Sequence, residues 1–478
     1  MKDYRNLFRP SKTQSGIATL EMLIALTILV LSITAVILLV FGGQSVTADT
    51  QTNNEALYKA QELLERARAL SREDFNLVNP VPATNDDIYQ KSVDVETLPD
   101  FLTKRVTSNV TWTGDHNRPL SIQLATLLTN PDGVNGGTTC NSVLSGDWTN
   151  PEPLGNVDVG QSNGATDVDI LFHKAYVTAD PSAVDKEDFY VIDVSDPNAS
   201  PLPILGSADG TISEGLEAVH VAGNYAYVAN RSKNGQLQIL DVSDSSNPIY
   251  ILPAPGYKIT AVTGNGAYGK SIFYKDEFVY LGLYNTDSGP EFNIIDVSNP
   301  SSPVWRGGYS IGHEINAIYV KGGLAYIASP HNSELIILDV SDPTNPTLHQ
   351  QVDLPNNSSH GKSIAITGNT LYLGRTEDAS PPTNEFQLVN ITDPSFPSLG
   401  VSTDIGSTVN AVTIRENLAF MVTSEASLGF QIWDLDTMTL YGFENVEQTS
   451  TGGMDCEGNY IYIAQRSNKA LQIIGPGP

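Results

Sequence analysis

The sequence predicts an α+β module, a long N-terminal helix with a small antiparallel sheet, followed by an all-β propeller of seven blades. Three observations lead there. An apolar run at 17–41 carries a single charge, Glu21. Behind it, apolar residues recur at helical spacing to about residue 70, then alternate with period two to about residue 129. From residue 146 onward, two short strand-like phrases recur along the chain.

The run 17–41 has 25 residues. As a helix it would reach roughly 37 Å, enough for a hydrocarbon layer of about 30 Å. The segment before it, 1–16, ends in Gly16 and holds Lys2, Arg5, Arg9 and Lys12. Excess Lys and Arg mark the cytoplasmic flank of a first membrane helix, which places the bulk of the chain outside the cytoplasm. Glu21 stands out, because a carboxylate at membrane depth costs on the order of 2.5–3.5 kcal/mol and is a functional residue by default.

A polar basic leader, Gly16, an apolar helix and Glu21 at the fifth residue after that glycine resemble the class III signal of type IV pilins and type II secretion pseudopilins. The resemblance implies that a prepilin peptidase removes residues 1–16 and methylates the new N-terminus, Ile17. It implies that Glu21 pairs with the N-terminal amine of a neighbouring subunit, the attraction between opposite charges in low dielectric offsetting their burial. The implied partners are other pilin subunits, the peptidase, and the inner membrane before assembly; the implied destination is an extracellular pilus. The leader is longer than in many pilins, and Ile17 stands where Phe or Met is common.

Residues 42–130 are expected to complete that module. Ala56, Ala60, Leu63, Ala67 and Leu70 share a helical face, while Glu62, Glu65, Arg66 and Arg68 are polar. A continuous helix over 17–72 would be roughly 84 Å long. Asn79-Pro80 and Pro82 end it. Strand-like runs follow near 88–95, 103–113 and 119–129, with Val106, Val110 and Trp112 on one face. Residues 131–145 are glycine-rich and polar, and read as a linker.

The body of the chain is repetitive. YVIDVSDP at 190–197 returns as LQILDVSD (237–244), FNIIDVSNP (292–300), LIILDVSDP (335–343), FQLVNITDP (386–394), FQIWDLD (430–436) and LQII (471–474). Ahead of each lies a second phrase of the type YAYVA. Repeat spacings of 41 to 55 residues suit four short strands, the content of one propeller blade. These phrases resemble the LVIVD repeat, which implies a bacterial surface propeller over 146–478. The last repeat stops after its third strand. Residues 146–160 match 341–355, the outer-strand region of the fourth repeat, so 150–160 are expected to complete the seventh blade and close the ring.

Net charge is −28, and −31 once a leader of four basic residues and one acid is removed. Such a surface argues against nucleic acid as a partner. There are two cysteines, Cys140 and Cys456. Outside the cytoplasm they can oxidise, and a bridge would pin the linker to the last blade. The alternative is a buried Cys456 and a free loop thiol at Cys140. The model of loop-closure entropy gives roughly 5–6 kcal/mol for so long a loop, an upper figure.

No G-x-S-x-G, H-E-x-x-H or C-x-x-C occurs, so no catalytic residue, metal site or cofactor is assigned. GNGAYGKS at 264–271 fits a phosphate-loop pattern, but a strand-like run follows where that chemistry needs a helix. Gly269-Lys270-Ser271 recurs as Gly361-Lys362-Ser363, and reads as a loop entering an inner strand. The residues just ahead of the inner strands, Glu214, Tyr268, His313 and His360 among them, are expected to ring one mouth of the channel and to contact a ligand. The function expected is that of a minor, tip-located pilus subunit displaying a propeller for adhesion to a surface glycan or protein. The rivals are a secretion pseudopilin and a surface-tethered propeller hydrolase of lactonase type.

Overall fold

The computed structural model describes residues 26–27, 29–34, 51–71, 78–98, 103–114, 117–129, 140, 143–160, 164–180, 187–210, 215–330, 333–355, 359–377, 384–425, 427–446, 452–467 and 469–478. They form two compact units.

In the first unit a helix spans 51–71. Ala56, Ala60, Leu64 and Ala67 are buried along one face, and Glu55, Glu62 and Glu65 lie on the other. The strands β1 (Val81–Asp86), β2 (Tyr89–Thr97), β3 (Thr103–Gly114) and β4 (Arg118–Thr129) make one sheet in that order. Ala56 and Ala60 meet Tyr89, Val110 and Trp112, so small helix residues admit large aromatic ones from the sheet.

The expected spine is not what is found. Among the described residues, 26–27, 29–34 and 51–71 are helical, and nearly all the rest of the regular structure is β. No helix among the described residues is long and apolar enough to cross a membrane. The prediction of a single long N-terminal helix is therefore corrected. It came from extending the amphipathic periodicity of 56–70 back through an apolar run. Apolar character alone does not set helix length. Gly16, Ile17 and Glu21 lie outside the described residues.

The second unit holds seven four-stranded antiparallel sheets. In each of the first six the strands pair in sequence order. The inner strands are Gly164–Leu171, Leu216–Ala222, Gly269–Lys275, Ala317–Lys321, Gly361–Thr367, Val409–Arg415 and Met454–Glu457. Each neighbours the next, and the last packs against the first, so they enclose an axis as in a propeller. The seventh blade takes its fourth strand from Asp147–Val157, antiparallel to Leu471–Gly477. The ring therefore has no open edge between its ends.

The recurring phrases explain the blade. The third strands of the first four blades, such as Phe292–Asp296 and Leu335–Asp339, are buried on both faces until their last residue. That last Asp closes a turn: the backbone amides of Ser195, Ser243, Ser298 and Ser341 donate to Asp193, Asp241, Asp296 and Asp339 at 2.9–3.0 Å. The serine hydroxyls, together with these amides, hold the Asp193, Asp241 and Asp339 carboxyls below the usual range, and the Arg306 guanidinium, with Ser298, brings Asp296 down to about 2. Residues 269–275 form a strand, so the phosphate-loop pattern is not followed by a helix.

Candidate functional site at the channel mouth

A polar side chain at the start of the third strand positions the loops that enter the inner strands. Glu291 accepts the amides of Ile311 and Gly312 at 2.9 and 3.0 Å, Glu334 that of Leu354 at 3.0 Å, and Glu385 that of Ile405 at 2.8 Å. Gln236 does the same for Ile259 at 3.0 Å, and Asp188 for Gly210 at 3.1 Å. Glu334 also pairs with the buried Arg375 at 2.9 Å. Each side chain anchors a loop that would otherwise leave amides unpaired inside the protein.

Bulges then re-aim the next residue. The ladder steps from Leu216 to Ala218, Gly269 to Ser271, Gly361 to Ser363 and Val409 to Ala411 against one partner step. Glu217, Lys270, Lys362 and Asn410 are the extra residues, and are left out of the ladder. Register with the second strands puts Thr166 and Asn316 at the same position in the first and fourth blades. Neighbouring blades lock these starts: Ser271 Oγ donates to the Ile315 carbonyl at 3.0 Å and Ser363 Oγ to that of Val409 at 3.1 Å. Gly269 has no room for a side chain, since a Cβ would sit 2.6 Å from the Gln236 carbonyl oxygen.

Charged groups gather here. Lys270 Nζ lies 2.6 Å from Glu314 and 5.1 Å from the centre of the Tyr284 ring. Tyr284 stacks on Tyr268 with centroids 5.0 Å apart and planes within 8°. Arg231 bridges Asp180, at 2.6 Å, and Glu217. Arg466 reaches Asp180 at 3.6 Å. Lys362 makes no ion pair among the described residues, although Lys270, Glu314, Glu217 and Arg466 all act on it electrostatically. Burial holds its ammonium below the ordinary lysine value, and the nearby Lys270 adds to the effect. Burial raises the Tyr268 phenol, and Tyr284 adds to it.

Of the ring named from sequence, Tyr268 belongs to this cluster. His313 and His360 are exposed, on the two loops that precede Asn316 and Lys362. The His360 amide donates to Thr376 Oγ1 at 2.8 Å. Glu214 lies outside the described residues. No group of three metal-ligating side chains among the described residues includes His313 or His360. The one such group is Cys140, Asp455 and Cys456, and its two cysteines are joined as a disulfide with Cα atoms 5.1 Å apart. Sequence reasoning missed Lys270 and Lys362 as site residues; the recurring Gly-Lys-Ser was the signal.

A second polar feature lies along the seam between the last and first blades. Asp167 accepts the amides of Val168 and Val219, and Asp455 accepts that of Ile170 at 2.7 Å. Burial pushes the Asp167 and Asp169 carboxyls up to about 7, and Asp455 well above the usual range. Beyond them Glu457 pairs with His173 at 2.8 Å, on the wall of a cavity of 280 Å³ lined also by Val143, Val194 and Tyr460.

The LVIVD repeat matches residues 217–252, 271–310 and 314–354. No curated protein matches the chain. Among solved structures, the chain is similar to a catalytically inactive virginiamycin B lyase from Staphylococcus aureus with quinupristin, at 9% identity and a TM-score of 0.49, over 68% of this chain and 98% of that one. It is similar to Raptor from Chaetomium thermophilum at 10% identity and a TM-score of 0.49, over 68% of this chain and 29% of that one. A chain of the mitotic checkpoint complex aligns at 14% identity and a TM-score of 0.44, over 71% and 94%. The chain carries LVIVD repeats over 217–252, 271–310 and 314–354, and they lie within an all-β, propeller-like ring.

Proposed function

We propose that this chain is a minor, tip-located subunit of a type IV pilus or pilus-like filament, and that its propeller serves surface recognition. The observation that supports the reading is a combination: the basic leader, Gly16, apolar run and Glu21 stand ahead of a closed ring whose mouth presents charged and aromatic side chains. In this reading Ile17 becomes the N-terminus, and Glu21 meets the amine of a neighbouring subunit. Bulges re-aim side chains at one end of the ring, an arrangement over-represented next to binding sites.

Immunogold labelling of the propeller on sheared filaments, and on the cells left behind, tests it. Label at filament ends is the expected result. Label left on the cell body with none on filaments overturns the filament role and favours a pseudopilin or a tethered enzyme.

A further inference from the structure

We propose that the channel mouth binds a ring-bearing monocarboxylate, of the hexuronate type, with its carboxylate on Lys362 and Lys270 and its ring against Tyr284. The proposal rests on the recognition reading and names the ligand class of that mouth.

Charge sets the ligand's sign and valence. Among the described residues the mouth gathers four cations, Arg231, Lys270, Lys362 and Arg466, and three anions, Asp180, Glu217 and Glu314. The anions are all engaged by Arg231, Arg466 or Lys270, and Lys362 is left with no ion pair among the described residues. The described residues of the cluster are one negative charge short of balance. A carboxylate supplies one; a dianion would overshoot and face Glu314. The body of the protein, at −28, repels polyanions, so a small, singly charged ligand is favoured over nucleic acid or a polyacid.

Shape sets the rest. Tyr284 is stacked on Tyr268, carries Lys270 Nζ over its ring, and is still 42% exposed. A sugar ring packed against the exposed part of Tyr284 leaves its carboxylate at the lysines. Two buried polar atoms at the same mouth also have no hydrogen-bond partner, Arg466 Nε and Asn316 Oδ1. They offer one donor and one acceptor, the complement of a sugar hydroxyl.

Calorimetric titration of the full chain at low ionic strength, with glucuronate, glucose and inorganic phosphate as probes, tests the proposal. Glucuronate is expected to bind while glucose and phosphate do not. Lys362→Gln should weaken glucuronate by roughly 10- to 100-fold, the loss of one charge-assisted hydrogen bond. Lys362→Arg should keep binding within a few-fold, which separates loss of charge from loss of fold. Absence of glucuronate binding overturns the proposal. So does equal binding of glucose, or a Lys362→Gln variant that binds like the parent. Filament-end label without glucuronate binding removes this site and leaves the filament reading. Glucuronate binding with label on the cell body does the reverse.

Discussion

Asp169 and Asp455 hydrogen-bond to each other through their carboxyl groups across the seam where the last blade meets the first. Each also accepts a backbone amide from the neighbouring inner strand, Val221 for Asp169 and Ile170 for Asp455. Two carboxylates in contact away from water cannot both be ionised, so the pair holds a proton near neutrality.

Stability is therefore expected to fall as the solution turns alkaline. Asp167 and Asp169 bind their protons with values of about 7, against about 4 in the unfolded chain. Between those values the folded state carries more protons than the unfolded one. Stability from these groups is fully present below the lower value and is lost as pH rises through about 7. Thermal melts followed by circular dichroism should give a higher Tm at pH 5 than at pH 8. A Tm that is flat or higher at pH 8 contradicts the assignment.

Asp455→Asn should flatten that dependence. An amide still accepts from Ile170, donates to Asp169 and brings no charge. The variant is expected to gain about 1–2 kcal/mol at pH 8 and little at pH 5, by urea denaturation at both values.

Arg375 is buried against Glu334, which is itself fully buried. Arg375→Met strands a carboxylate among apolar side chains, and should cost about 3–5 kcal/mol. Adding Glu334→Gln should recover much of the loss, because Gln keeps an acceptor for the Leu354 amide. Denaturation of the parent, both single variants and the double variant gives the coupling directly.

Replacing both Cys140 and Cys456 by serine and alanine should lower stability by about 2–5 kcal/mol. The same loss should follow reduction of the parent protein, and reduction should not affect the double variant.

The blades were legible because their phrases encode burial. A third strand buried on both faces tends to read as a continuous apolar run, and its turn needs the Asp that ends it, as in Leu335–Asp339. The strand that completes the seventh blade, Asp147–Val157, shares Thr-Asn-Pro with the outer strand of the fourth repeat. The mouth was harder to read. A bulge makes Lys362, two residues past His360 in the loop, the re-aimed position of the fifth blade. Bulges arise from pairing between strands, which a single strand's sequence does not display. The seam acids were hidden for another reason. Asp167, Asp169 and Asp455 look like solvated strand residues until the neighbouring inner strands remove their water.

The disulfide also decides how the ring bears load. The chain enters the ring from residue 140 and its first strand, Asp147–Val157, lies at the rim of the seventh blade, where traction would unzip it one hydrogen bond at a time. Cys140 sits ahead of that strand and is bonded to Cys456, in the inner strand Met454–Glu457. Tension arriving from the N-terminal side passes through sulfur into the innermost strand, and the rim strand lies slack in the parallel path. The ring is hauled from its hub.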